Sequence, residues 1–427
     1  MKKIIPLSLI AIASLYASEV ELAPISVEST VITEVSQNAQ VSADLADALS
    51  TSVPSIDMSR RSGIANDVYI RGQKRDNISV EVDGTKVCGA CVNRMDPPVS
   101  HVLANQIDEI EVIEGPYDVT NFGTLSGGVK IKTKAPTQKT HGEVNFGYGS
   151  FNYTKVGATV SGGNDIVRVL ISGSSESSDQ YKDGDGNTMA DQVDNYATGT
   201  PVAGTRYKPQ YEDMAAYKKK SLMAKAFVTV TDTQEARLSY TTNRSDDVLY
   251  PNSKMDAVYD YSNIYSVEYI IKDISDEYRN INLQYYYSDV DHPMSTQYRM
   301  SSGNPMMRNT NHLQTTMQGV KLKNNFDINS YKLLLGLDGS ERTWDGNYYK
   351  TDTGLPLPAG NSKSIDDALT KNVSIFAKLE KSYGSFNFSM GARYDSTEIT
   401  HATQDDNDYT GTGANLMTSY NLNRHNK

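Results

Sequence analysis

From about residue 141 onward the chain alternates. In Ile281-Asn-Leu-Gln-Tyr-Tyr-Tyr287 the odd positions are apolar or aromatic and the even ones mostly polar, and Phe386-Asn-Phe-Ser-Met-Gly-Ala-Arg-Tyr394 repeats the scheme. A period of two sends successive side chains to opposite faces of a strand, so one face is apolar and the other polar. Similar runs fall near residues 142–150, 153–163, 166–174, 221–231, 234–244, 265–272, 312–323, 330–338, 371–380 and 413–421, separated by polar loops rich in Gly, Asp and Asn. Each is close to the about 9–11 residues that a tilted membrane strand needs. The pattern predicts roughly a dozen antiparallel strands.

The first third of the chain follows other rules. Ala43-Asp-Leu-Ala-Asp-Ala-Leu49 spaces its apolar residues for a short amphipathic helix that Pro54 ends. Short strands are predicted at 68–70, 78–82 and 107–113, with glycines between them. This reads as a small α+β domain over residues 36–138, preceded by an extended, flexible arm over 19–35 in which Pro24 and β-branched residues break any helical period. Residues 1–18, with Lys2 and Lys3 ahead of an apolar run from Ile4 to Tyr16 and then Ala17-Ser18, read as a secretory signal peptide. Residues 139–427 hold the alternating strands.

Composition sharpens the picture. The chain has 28 Tyr against 8 Phe and 1 Trp, 30 Gly, and a hydrophobic fraction of only 38%, with no apolar stretch near the about 18 residues of a spanning helix. A membrane β-barrel has this profile, because lipid-facing residues alternate with polar lumen-facing ones. The net charge of −11 argues against a nucleic-acid partner and favours the approach of cations. Barrels with a plugged lumen have about 22 strands, more than residues 139–427 can supply, and an open sheet leaves backbone groups unpaired in lipid. The chain, which stops at Asn426-Lys427 just after a strand-like run, is therefore expected to be C-terminally truncated, its barrel partial.

Candidate chemistry lies in two donor pairs: Cys91-Val-Asn-Arg-Met95, followed by Asp-Pro-Pro, and His292-Pro-Met294. A thiolate, two thioethers and an imidazole suit copper, above all Cu(I), better than metals that prefer oxygen. Counting parity from Asn282, Gln284, Tyr286 and Ser288, His292 and Met294 share the lumen-facing side of their strand. Pro293 removes a backbone donor between them, which suits a strand end or loop entry. On the other segment, glycines and Pro97-Pro98 bracket a stiff loop that holds Cys91 and Met95 outward. Cys88 is a competing or additional ligand; a Cys88–Cys91 disulfide is the structural alternative, and it would take the thiolate out of play. Met294, Met300, Met306, Met307 and Met317 form either a soft-donor path or flexible loop packing. Asp183, Asp185 and Asn187 have calcium-loop spacing, but Thr188 replaces the required glycine, so an acidic surface loop is expected. Lys218-Lys-Lys220 reads as a solvated or interfacial strand start.

The first domain resembles the plug of TonB-dependent outer-membrane receptors. The residues that carry the resemblance are Asp44-Leu-Ala-Asp-Ala-Leu49, Val53-Pro54, Val68-Tyr-Ile-Arg-Gly72, Val82-Asp-Gly84, Ile107-Asp-Glu-Ile-Glu-Val-Ile-Glu-Gly-Pro116 and Gly127-Gly-Val-Lys-Ile-Lys-Thr-Lys134, in that order and spacing. The resemblance implies a TonB box in the arm, at Glu21, Leu22, Ala23, Pro24, Ile25, Ser26 and Val27, and the TonB–ExbB–ExbD complex as energy-coupling partner. Within the family, the Cys91/Met95 loop, the His292/Met294 segment and Val248-Leu-Tyr-Pro251 with Met255-Asp256 look like copper receptors of the OprC and NosA type. That implies copper as cargo, held by Cys91, Met95, His292 and Met294, in a protein of the bacterial outer membrane. An iron–siderophore, haem or cobalamin cargo remains open, as large organic ligands favour Tyr- and Arg-lined loops. A barrel enzyme such as a lipase is the reading from another class, but the chain offers no convincing grouping of nucleophile, base and orienter, so binding and transport rather than catalysis are expected.

Overall fold

The structure, a computed structural model, describes residues 29–33, 44–116, 118–358 and 360–420. The expected signal peptide and TonB box lie outside the described residues.

The first domain is built on one mixed sheet and one helix. Helix α1 (Leu45–Ser52) starts where the Asp44 carboxylate accepts the Ala46 N–H at 2.9 Å and ends where Val53, extended ahead of Pro54, closes the last turn. Strands β1 (Ser29–Ile32), β4 (Ile78–Val82), β5 (Thr85–Lys86), β6 (Ile107–Ile113) and β7 (Gly127–Thr133) form a sheet in the order β1-β6-β7-β4-β5, and β2 (Ile56–Ser59) pairs with β3 (Asp67–Ile70). Leu45, Leu49 and Val53 pack on Val80, Val82, Ile110, Val112, Val129 and Ile131 to make its core. The strands expected at 68–70, 78–82 and 107–113 stand within a residue of their places. One expectation is corrected: Ser29–Ile32, assigned to the flexible arm, is a strand paired antiparallel with Ile110–Ile113. Four residues are too few for alternation to signal a strand; the neighbour supplies the hydrogen bonds.

The rest of the chain is a single antiparallel sheet of 12 strands, each paired with its sequence neighbours. They are β8 (His141–Gly149), β9 (Tyr153–Gly163), β10 (Val167–Ser178), β11 (Tyr217–Thr231), β12 (Gln234–Val248), β13 (Asp256–Lys272), β14 (Tyr278–Ser295), β15 (Asn309–Ile328), β16 (Tyr331–Lys350), β17 (Lys363–Tyr383), β18 (Phe386–Thr400) and β19 (Asn407–Tyr420). All the alternating segments are strands, and β9 has the expected limits. One end of the sheet has tight turns. Asn329 and Ser330 between β15 and β16 both have positive φ, 49° and 67°, as a two-residue hairpin of the primed type requires. The other end has long connections, the longest holding helix α2 (Met189–Ala197), which the Thr188/Asp191 capping box starts. Alternation did not reveal this helix. Asp183 accepts backbone N–H groups from Asp185 and Asn187 in an exposed turn just ahead of it, as expected of an acidic surface loop.

The outer face carries Val144, Val156, Val160, Ile171, Leu222, Val267, Leu283, Leu337, Val373 and Ile375, all exposed, the apolar band of a lipid-facing sheet. Among the described residues, no helix is long and apolar enough to cross a membrane. The inner face curls around the first domain and holds it by apolar packing and by polar contacts. Lys219 Nζ donates to the Ser100 carbonyl at 2.7 Å, Gln284 Nε2 to the Asp83 carbonyl at 2.8 Å, and Lys321 Nζ pairs with Glu81 at 3.0 Å and donates to Asn121 Oδ1 at 2.6 Å. The Lys218–Lys220 expectation is therefore split. Lys218 pairs at the surface with Asp247, whereas Lys219 is buried and serves as a wall-to-domain tie. The fold is thus a plug-like α+β domain followed by a partial antiparallel barrel.

Candidate metal centre

Cys91 sits at the top of a loop that three sets of contacts fix. Inside the loop, the buried Asp96 carboxylate accepts the N–H groups of Ala90, at 2.5 Å, and Cys91, at 3.0 Å. Gly89 is required, as a Cβ there would stand 2.4 Å from the Asp96 carbonyl oxygen. Arg94 turns the chain in the left-handed region, φ 57°, and its N–H reaches back to the Cys91 carbonyl at 2.9 Å. From the wall, Trp344 Nε1 donates to the Ala90 carbonyl at 2.7 Å, an Arg342 Nη to that of Gly89 at 3.2 Å, and the Tyr250 hydroxyl to that of Met95. Burial, with Asp260, Asp96 and Cys91 around it, holds the Tyr250 phenol well above its ordinary pKa, so it stays a donor. Pro98 then opens the 3-10 turn Pro98–His101.

His292 and Met294 lie on β14, and the parity expected for them holds: Gln284, Tyr286, Ser288, Val290, His292 and Met294 are buried, while Leu283 and Tyr285 face outward. Pro293 lies near the end of the strand, two residues before Ser295, as expected, and opposite His312 of β15. On the other side the β13 register slips, with Met294 opposite Ala257 but Asp291 opposite Tyr261. The missing N–H of Pro293 falls at this bulge, where the ladder does not need it. The bulge also sets Asp260 beside His292, Oδ1 to Nδ1 3.5 Å.

The two segments meet. Cys91 Sγ, a ring nitrogen of His292 and a carboxylate oxygen of Asp96 lie within 4.8 Å of one another. Met95 and Met294 pack in the same buried cluster as Cys91, and all four side chains are nearly inaccessible: Cys91 4%, Met95 5%, His292 0%, Met294 4%. Among the described residues, neither ring nitrogen of His292 has a hydrogen-bond partner, Asp260 standing at ion-pair distance. Leaving such groups unpaired costs about 1–3 kcal/mol each, and a metal ion would satisfy one of them. Two donors around one ion at roughly 2.0–2.3 Å stand about 3–4 Å apart, within the span seen. Cys91 and His292 can therefore close on a soft ion with small adjustment, with Met95 and Met294 packed in the same region.

Cys88 does not join them. Both cysteines are free thiols, and Cys88 faces a separate cavity of about 280 Å³ lined also by Lys86, Arg94, Met317 and Arg342. Of the five clustered methionines, Met294 is in the buried cluster, Met317 is buried in that cavity's wall, and Met300, Met306 and Met307 are exposed. Sequence reasoning missed the groups that hold and cover the site. Asp96 stood in the quoted motif without a role, and the bulge that presents Asp260 has no sequence signature. Above the site, Tyr207, Asp256 and Arg299 form a buried network in which Arg299 donates to both Asp256 oxygens at 2.6 Å and Tyr207 Oη to Asp256 at 2.9 Å. Met189, Ala190 and Val193 of α2 and Tyr207 cover the cluster.

Three comparisons bear on this geometry. The family described as the TonB-dependent Receptor Plug Domain matches residues 21–129. Among curated proteins, the ferric aerobactin receptor of Klebsiella pneumoniae is 29% identical over 172 residues, 39% of this chain and 22% of that protein. Among solved structures, the chain is similar to "Copper transporter OprC" with a TM-score of 0.79 at 20% identity, covering 94% of this chain and 61% of that one. It is also similar to the FrpB iron transporter from Neisseria meningitidis, TM-score 0.70 at 14% identity, covering 93% and 63%. The chain thus spans less than two thirds of the length of each.

Proposed function

We propose that this chain, whose first domain matches the TonB-dependent receptor plug family and whose fold is that of such receptors, is an outer-membrane receptor that binds copper between plug and wall and imports it. Cys91 and Met95 from the plug and His292 and Met294 from β14 are the ligands, with Cys91 as thiolate and His292 through a neutral ring nitrogen. Asp96 orients the Cys91 loop through the backbone. The observation that carries the reading is the approach of a buried imidazole to a thiol from a segment about 200 residues away in sequence, the thiol packing in one buried cluster with two thioethers. Soft and borderline donors of this kind select copper over oxygen-preferring ions. The name of the similar copper transporter agrees with this cargo; the names of the iron transporter and the aerobactin receptor stand for the competing one.

Release follows from the same geometry. Half the ligands ride on the plug, so a pull on the plug through a TonB box at Glu21–Val27 would part Cys91 and Met95 from His292 and Met294 and open the site. TonB–ExbB–ExbD is the proposed source of that pull. The test is metal analysis of the purified chain with Cys91 and Met95 both changed to alanine. Copper affinity is expected to fall by at least about 100-fold, since even the loss of groups that only orient ligands costs about 10–100-fold. Unchanged copper binding, or a protein that takes up a ferric siderophore and no copper, removes the reading.

A further inference from the structure

Beside the soft cluster lies a second set of buried donors that the proposed copper site does not use. His101 ends the turn that follows the Cys91 loop, is 0% exposed, and among the described residues neither of its ring nitrogens has a hydrogen-bond partner. Facing it from the β13 bulge is Asp260, also buried, with Oδ2 3.9 Å from His101 Nδ1 and an unpartnered Oδ1 3.5 Å from His292 Nδ1. Donor atoms of His101, Asp260 and Asp96 lie within 4.8 Å of one another.

These separations are too long for hydrogen bonds and right for donors bridged by an ion, which at roughly 2.0–2.2 Å from each nitrogen or oxygen holds them about 3–4 Å apart. Asp96 accepts two backbone N–H groups and keeps lone pairs free, as a carboxylate offers about four acceptor sites. The buried Lys219 has its ammonium on the Ser100 carbonyl at 2.7 Å.

We propose that His101, Asp260 and Asp96 form a second metal station, for a divalent ion of borderline hardness, Cu(II) in this setting, adjoining the soft Cu(I) station. Imidazole and carboxylate donors suit such an ion, whereas thiolate and thioethers suit Cu(I). Asp96 touches both sets, so an ion leaving Cys91 has a neighbouring site that shares one residue with the first. The choice of copper rests on the function proposed above; the existence of the station does not.

The test uses the full chain in detergent, probed with copper(II) sulfate, and with Cu(I) under reductant. A Cys91→Ser variant is expected to hold a single equivalent of Cu(II) with a nitrogen-coupled paramagnetic resonance spectrum. Adding His101→Gln, or separately Asp260→Asn, is expected to weaken Cu(II) binding by at least about tenfold and to change that spectrum, while His101→Gln alone leaves Cu(I) binding within about twofold. A Cys91→Ser protein that takes up no Cu(II), or one whose affinity and spectrum neither substitution changes, overturns the second station and leaves the first reading standing. If Cys91→Ser leaves Cu(I) binding unchanged while His101→Gln abolishes Cu(II) binding, the first reading fails and the station survives.

Discussion

Asp96 shows how one side chain can govern a site without being its obvious ligand. Its carboxylate closes the Cys91 loop from within, and Gly89 lets it do so by carrying no Cβ. Asp96→Asn keeps the volume but gives one face of the group N–H donors opposite the Ala90 and Cys91 N–H groups. Copper affinity, measured by competition with a chelator, is expected to drop about 10–100-fold while the plug stays folded. Gly89→Ala is expected to weaken copper in the same direction, because the loop must shift to clear the Asp96 carbonyl, and the same titration checks it. The sulfur and imidazole donors were legible in the sequence because their chemistry belongs to the residue type. Asp260 and His101 were not, since an aspartate or a histidine acquires that meaning only when burial strips it of partners.

At the scale of elements, period-two alternation located every strand of the wall, as in Tyr153–Gly163, but cut the long ones short. β17 runs over 21 residues, about twice what the membrane needs, and its first residues, Lys363-Ser-Ile-Asp-Asp, lie where both faces of the sheet can be polar and the pattern fades. The bulge in β13 was invisible for a related reason: one extra residue shifts the register without changing composition. Helix α2 was missed because its apolar face covers the Cys91 cluster and not a core of its own. What locks this cover down is the Arg299–Asp256 pair, buried on both sides. Arg299→Met leaves Asp256 as an uncompensated buried charge and is expected to lower stability by about 3–5 kcal/mol, visible as a lower midpoint in thermal or denaturant unfolding. A variant that unfolds like the parent would show that the pair does not hold the cover.

For the whole molecule, the sequence indicated a plug inside a partial barrel through composition and motif order, and the structure adds how the two are joined. Beside the apolar cluster that Cys91 and Met95 share with Val290 and Met294, polar ties run along the wall's inner face, from Lys219 on β11 to Arg393 on β18, which donates to the Val119 carbonyl at 3.3 Å. Such contacts can be remade with water as the plug moves, which an apolar seal could not do at comparable cost. The release proposed here, by movement of the plug, needs a working handle. Leu22→Pro, which removes a backbone donor and fixes φ in the proposed TonB box, is expected to abolish copper uptake by cells while the purified protein binds copper as before. Loss of binding and uptake together would mean that the arm acts on folding and not on coupling.

The central claim is that sulfur from the plug and nitrogen from the wall hold the same ion. X-ray absorption at the copper edge of the Cu(I)-loaded chain tests it most directly. The expected result is a first shell dominated by sulfur with one imidazole, which loses a sulfur in Cys91→Ser and the imidazole in His292→Ala. A shell of oxygen and nitrogen only, or a spectrum that neither substitution alters, would contradict it.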